Sequence, residues 1–452
     1  MEDNNNDLLY DFRYPFNSAL EFFNGLYFLN LEALHLTIGY LLLSFMVIRV
    51  FSNPSLPLPY KFAIIYFSGT IFNNPAYKIG ITISEIFGIF AVVIFINRKY
   101  IKLNSISNYI ILFAIISALH LSVLMILDEH VADNFELYRV AVLLKLFVLA
   151  FNIIILFNYI NSDNDLKIFI NYSIIIFNIV AISYLIQVVV FLMGTVPYGS
   201  FSPTNWVESI IPSFGATSVE RGHLGKFFVP LFPFYLYAYH VLGYKKSFSL
   251  YLIIAFSNFS ASSYAFLFLY ILGIILFLYK EFKKLIFLVF LLIVFIMSFF
   301  NDQIFGIITK IYDLAIISEK ADLGGGRSFL WIFDIIESYP FGFGYGGSSY
   351  RNSHGISGLD LNNAVVIFFG QLSILGFIMI GIFVFNMSKI FKTGKYLNFR
   401  FERKLLFLSI TVMSLIFLAD VLWFVPVIWL PVVILTILAR NEKRKSIENL
   451  TN

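Results

Sequence analysis

The chain contains no cysteine, which removes disulfides, thiolate metal sites and cysteine nucleophiles together. Charge is scarce as well. Only 13% of the 452 residues are Asp, Glu, Lys or Arg, against about one quarter in an ordinary soluble domain. The stretch Met1–Arg13 is acidic and Asn-rich, the wrong sign for the n-region of a cleavable signal peptide. No internal repeat is evident, which argues against inverted-repeat transporter designs. The apolar runs do not alternate with polar residues, which excludes a closed membrane barrel.

What the chain has in abundance is apolar surface. Hydrophobic residues make up 59% of it, and Phe alone occupies 55 positions. Apolar runs long enough to cross about 30 Å of hydrocarbon recur at 33–51, 59–74, 77–97, 106–128, 136–160, 166–194, 225–243, 247–259, 262–279, 283–300, 363–387, 404–420 and 423–439. A weaker stretch, Phe16–Leu29, is either a further span or an interfacial helix. The expected fold is all-α: one polytopic integral membrane domain over 1–452 with 12 to 14 transmembrane helices. The absence of cysteine fits a prokaryotic inner-membrane protein.

Basic residues orient the spans by the positive-inside rule. They cluster at Arg98–Lys102, Lys245–Lys246, Lys280–Lys284, Lys389–Lys404 and Arg440–Lys445, whereas the connection Asp128–Glu136 is acidic. With the basic clusters in the cytoplasm, two loops face outward, 194–225 and 301–362. The apolar stretch between Lys246 and Lys280 must then cross twice, turning at the polar run Ser257–Ser263.

The candidate chemistry lies in those two loops. The first carries Glu220, Arg221, His223 and Lys226 just before a span beginning near Phe227. Cations at a helix entrance suit an anion, because unpaired N–H groups add positive potential there. An interfacial cluster touching lipid head groups fits the same residues. The second loop opens with Gly324–Gly326 and Arg327, leading into an amphipathic helix, Ser328–Tyr339, that Pro340 ends. Glycines let backbone approach a ligand, and an arginine at a helix start suits a phosphate oxygen. The alternative is a flexible linker into a helix lying on the membrane. Next comes Phe341–Gly347, in which aromatics such as Tyr345 alternate with glycines and can offer flat faces to sugar rings. Tyr350–His354 follows, with Arg351 placed to keep His354 neutral and competent as a base. Two charges, Glu85 and Lys145, fall inside apolar spans at similar depth. Such residues are costly in lipid; a structural ion pair is expected of them ahead of a proton path, with Lys145 snorkelling outward as a further reading.

These residues resemble the O-antigen polymerase and O-antigen ligase superfamily. The family pattern is an arginine leading to a tryptophan helix, a Pro-x-Gly-x-Gly turn, a His-Asn-type pair and a span closing in a glycine motif. It is matched here by Arg327, Trp331, Pro340, Gly342, Gly344 and Gly370–Gly376, with Arg221 resembling the arginine of the earlier loop. The slot of the ligases' His-Asn pair holds Asn362–Asn363, with His354 eight residues earlier. That departure favours a polymerase. A second departure is Ser262–Ser263, where relatives often carry a Ser-Arg pair.

The resemblance implies a membrane-embedded, GT-C-like glycosyltransferase in the bacterial inner membrane, its active site facing the periplasm or exterior. Its donor would be an oligosaccharide repeat on polyprenyl diphosphate. The expected catalytic residues are His354, Arg327, Arg221 and Asp360, with Arg351, His223, Glu220, Lys226, Asn362, Asn363, Trp331 and Tyr345 contacting substrate. Glu220 and His223 are further candidates for the base. No metal and no cofactor is expected, since arginines can clamp a diphosphate leaving group electrostatically. The implied partners are the lipid-linked glycan, the bilayer and a chain-length regulator protein, with no nucleic acid. The ligase that moves finished glycan onto lipid A–core is the close alternative. A flippase of lipid-linked oligosaccharide and a non-catalytic scaffold are the other classes. Charges spread along several spans would favour the flippase, whereas here they concentrate in outer loops.

Overall fold

The computed structural model describes residues 31–73, 82–97, 101–127, 136–195, 197, 214–218, 221–258, 266–276, 278, 340–342, 344, 368, 371–397, 400–419 and 425–451. Their regular structure is helical, with no strand among the described residues. In chain order the helices are α1 (Leu34–Phe51), α2 (Leu58–Ser68), α3 (Ile83–Phe95), α4 (Ser105–Leu127), α5 (Glu136–Tyr159), α6 (Asp163–Leu192), α7 (Arg221–Phe228), α8 (Phe232–Leu242) and α9 (Lys245–Ser257). They continue with α10 (Phe266–Leu276), α11 (Ile374–Thr393), α12 (Arg400–Ala419) and α13 (Pro426–Thr451). Five helical stretches are long and apolar enough to cross a membrane: Leu31–Phe51, Ser105–Ile126, Val140–Tyr159, Asp163–Leu192 and Ile374–Tyr396. Ile83–Phe95 and Phe266–Leu276 are apolar but shorter. The expected span 283–300 and the stretch Phe16–Leu29 lie outside the described residues.

The surface carries the solvent's signature. Phe45, Ile126, Leu192 and Phe385 are each more than 60% exposed, on four different helices whose outward faces are apolar. Several polar groups sit inside and bind one another or backbone carbonyls, which is favoured where no water reaches. Ser68 and Ser173 share a buried hydrogen bond of 2.9 Å, and Asn152 on α5 donates to Gly88 O of α3 at 3.1 Å. This is an all-α membrane protein.

Packing centres on the last helix. α13 touches α12, α2, α6, α8, α11 and α5, and its apolar half, including Trp429, is buried all round. A helix surrounded by others has no polar face to offer. Its second half, from Arg440 on, continues as helix beyond the apolar stretch that ends near 439 in the sequence. Around it, α1 lies on α6, α4 pairs with α5 and α11, and α2 is enclosed by α3, α5 and α6.

The apolar run expected to span 225–243 is instead broken. α7 ends at Phe228, a 3-10 turn covers Val229–Leu231, and α8 begins at Phe232. Pro233 has no N–H to give the carbonyl four residues back; Val229 O accepts the Phe232 N–H instead, together with the Tyr251 hydroxyl at 2.7 Å. The Tyr270 hydroxyl donates to Pro230 O at 3.1 Å. Broken backbone inside an apolar bundle persists because buried tyrosines satisfy it.

Two ends can be distinguished. At one, which we call the basic end, Asn158 exchanges hydrogen bonds with the backbone of Lys102, and Arg440 donates to the carbonyls of Phe157 and Ile160. Lys395 and Lys443 lie 4.9 and 5.0 Å from the centre of the Tyr396 ring. α4 starts at this end and runs to the other, the far end.

Candidate functional site

At the far end Pro340 and Phe341 form a turn that leads into Gly342 and Gly344, the described residues of the Pro340–Gly344 segment. Gly342 and Gly344 have φ of 77° and 82°, a left-handed backbone that costs a residue with a β-carbon about 1–2 kcal/mol. Three bonds hold the turn. Gly344 N–H donates to Gln371 O at 2.9 Å, the Ser373 hydroxyl donates to Pro340 O at 2.5 Å, and His120 on α4 meets Phe341 O at 2.8 Å. A carbonyl only accepts, so His120 presents Nε2 as its N–H.

The receiving surface is a break in the helix leading to α11. Backbone at Phe368 and at 371–372 is helical, Ser373 departs with φ 51° and ψ −131°, and α11 resumes at Ile374. A β-carbon on Gly376 would stand 2.5 Å from Phe368 O. Glycine is therefore required there by close backbone approach. The sequence led us to expect one uninterrupted span over 363–387; the break at Ser373 corrects that. At the break, the Gln371 carbonyl and the Ser373 hydroxyl are what the Pro340–Gly344 turn pairs with.

A second piece of the far end comes from the first loop. Phe214, Ala216, Thr217 and Ser218 are buried, so the end of this loop is folded into the bundle. Ala216 N–H donates to Gln187 Oε1 at 2.8 Å, and the hydroxyls of Thr217 and Ser218 donate to Ile71 O at 3.2 Å each. Ile71 follows α2, whose other end is tied by Tyr60 to Asp165 O at 3.0 Å near the basic end. From this anchor the chain enters α7 at Arg221, earlier than the expected start near Phe227. Arg221 and His223 fall in the first turn of α7, and Lys226 in the next, half-buried. Glu220, Arg327, Trp331, Tyr345, Arg351, His354, Asp360, Asn362 and Asn363 lie outside the described residues. The structure thus brings the Pro-x-Gly-x-Gly turn, the glycine motif before α11 and the start of α7 to the same end of the bundle.

The expected Glu85–Lys145 pair is present at 2.9 Å. Glu85 is not deep in its helix, however. α3 begins only at Ile83, and Glu85 closes a capping box with Thr82. That arrangement satisfies two backbone donors reciprocally, so both charges have structural duties. No group of three or more His, Asp or Glu able to hold a metal occurs among the described residues.

His120, Gln371 and Ser373 were not singled out from sequence. The available signal was His120 itself, a titratable side chain inside the apolar run 106–128, where such residues are rare and serve a purpose. Compared with protein-family models, curated proteins and solved structures, the chain matches none.

Proposed function

We propose that this chain is a membrane glycosyltransferase, a surface-polysaccharide polymerase that joins oligosaccharide repeats carried on polyprenyl diphosphate at the outer face of the bacterial inner membrane. The observation that carries the reading is the Pro340–Gly344 turn seated on the break at Ser373. The same two segments bear the family resemblance, and they meet at the end of the bundle away from the clustered cations.

In this reading a hydroxyl of the acceptor repeat attacks the anomeric carbon of the donor glycan. The new glycosidic bond forms as the bond to the diphosphate breaks. Polyprenyl diphosphate leaves with the electron pair, and the hydroxyl proton passes to a base. Arg221 and Arg327 clamp the diphosphate, where bidentate guanidinium geometry stabilises developing charge. His354 takes the proton, with Asp360 as the rival for that role, and Asn362 orients the acceptor sugar. The resemblance implies a chain-length regulator as its protein partner.

The test is deletion of the gene, complementation with the wild-type chain or Arg327→Lys, and gel analysis of the surface glycan. Deletion collapses the ladder to a single repeat, and Arg327→Lys fails to restore it although the protein accumulates normally, because lysine cannot reproduce the guanidinium fork. Loss of all glycan on the acceptor would instead mean a ligase. An unchanged ladder would overturn the proposal.

A further inference from the structure

At the basic end, α4, α11 and α13 enclose a cavity of about 270 Å³. Four cations line it, Lys102, Arg440, Lys443 and Arg444, and no carboxylate does among the described residues. The acids closest along α13 and α6 are already engaged: Lys445 holds Asp163 at 2.6 Å and Glu442 at 2.7 Å. Arg440 and Arg444 bond only neutral oxygens, those of Phe157, Ile160, Asn161 and Asn441, and Lys443 lies over the Tyr396 ring, so among the described residues no carboxylate neutralises the four lining cations.

Burial and the neighbouring charge register in the acidity of two of them. Burial, and then the neighbouring Arg444, pushes the Arg440 guanidinium down to about 10. Lys102 is pushed down by burial first, then by Arg444 and Arg440. An anion placed among them offsets both shifts, since an opposite charge favours the charged form. The hydrogen-bonding groups agree. Asn104 and Arg440 each keep a buried N–H donor, Nδ2 and Nε, with no partner in the structure. The cavity also receives the start of α4 at Ser105 and Ile106, where the first helical N–H groups add positive potential.

The rest of the lining is apolar. Leu103, Phe157 and Ile390 form wall, and Leu103 is 59% exposed. A free ion uses cations alone; an acyl chain uses this border. We propose that this cavity is a binding site for the phosphate headgroup of an anionic phospholipid, lodged between the ends of α4, α11 and α13 with its chains along the apolar rim. Basic clefts between membrane helices recognise such headgroups by this combination of charge and hydrocarbon. The proposal does not depend on the glycosyltransferase reading, since it concerns the opposite end of the bundle.

The experiment titrates the detergent-purified full chain with dioctanoyl phosphatidylglycerol, dioctanoyl phosphatidylcholine and inorganic phosphate, counting bound molecules by native mass spectrometry. Arg440 is left intact because it also caps α5. The variant is Lys102→Gln with Lys443→Gln, checked by its unchanged melting temperature without lipid; Arg49→Gln, an exposed cation on α1, is the control. Wild type and Arg49→Gln bind one phosphatidylglycerol in preference to phosphatidylcholine. At about fivefold per cation near a membrane surface, the double variant binds roughly 25-fold more weakly. Equal binding by the double variant, or a melting temperature already lowered without lipid together with unchanged affinity, overturns the site. Inorganic phosphate displacing the lipid at matched concentration shows a free-anion site and overturns the lipid assignment.

Discussion

The two ends of the bundle are built differently. At the basic end the connections are short and tied at nearly every step. Ser162 and Asp165 close a capping box, Asn158 holds Lys102 on both sides of its backbone, and Arg440 covers the last carbonyls of α5. At the far end the connections are long, and the backbone is bent into unfavourable shapes. The two non-glycine residues with positive φ among those described, Ala216 and Ser373, both sit there. For a residue with a β-carbon such backbone costs about 1–3 kcal/mol and tends to collect at functional sites. One end of this molecule is arranged for order, and the other carries strain that the ordered end has to hold in place.

If the contrast means what we propose, the far end should be sensitive in activity and the basic end in stability. The largest effect is expected in the loop that follows the Pro340–Gly344 turn. General-base assistance is worth about 10²–10⁴-fold, so His354→Ala should shorten or abolish polymer on the glycan gel at normal protein abundance. Asp360→Asn is the counterpart. A dead Asp360→Asn beside a fully active His354→Ala would transfer the role to the carboxylate and leave the far end as the site of chemistry.

Next is Arg440→Gln at the basic end. Hydrogen bonds from a charged donor contribute about 1.5–3 kcal/mol, so its loss should lower the unfolding midpoint in detergent by an amount of that order. A midpoint equal to wild type would show that the capping of α5 is not what orders this end. A smaller effect is expected from Gly376→Ala at the break. Its β-carbon would meet Phe368 O at 2.5 Å, whereas Gly381 on the same helix has open space. Overpacking typically costs about 1–3 kcal/mol, to be read as a lowered unfolding midpoint, with Gly381→Ala unchanged. Equal behaviour of the two alanines would remove the close approach from the account.

Much of the fold was legible from sequence, and what escaped has a physical reason. Helices α1, α4, α5 and α6 begin and end within a few residues of the apolar runs that announced them, because in lipid a long apolar run has no other stable form. The pairing of Glu85 with Lys145 followed from the cost of charge within apolar stretches, although Glu85 lies in the first turn of α3 rather than at depth. The helix breaks did not show. Val229–Leu231 and Ser373 lie in stretches that hydropathy reads as continuous, since the groups that satisfy them, Tyr251, Tyr270 and the Pro340–Gly344 turn, come from distant positions in the chain. The centrality of α13 was also hidden, because burial against six neighbours leaves no periodic signal along one helix. For the candidate site, the glycine turn and the motif before α11 were recognised as patterns, but their contact through Gln371, Ser373 and His120 could come only from the three-dimensional arrangement.

The central claim is that the two ends face opposite sides of the membrane, with the chemistry on the outer side. The absence of cysteine makes one measurement direct. Ser348→Cys, in the loop beyond the glycine turn, and Ser446→Cys, exposed at the basic end of α13, are each treated with a membrane-impermeant maleimide in intact cells and after lysis. The account predicts labelling of Ser348→Cys in intact cells and of Ser446→Cys only after lysis. The reverse pattern, or both positions reached from the same side, would contradict it.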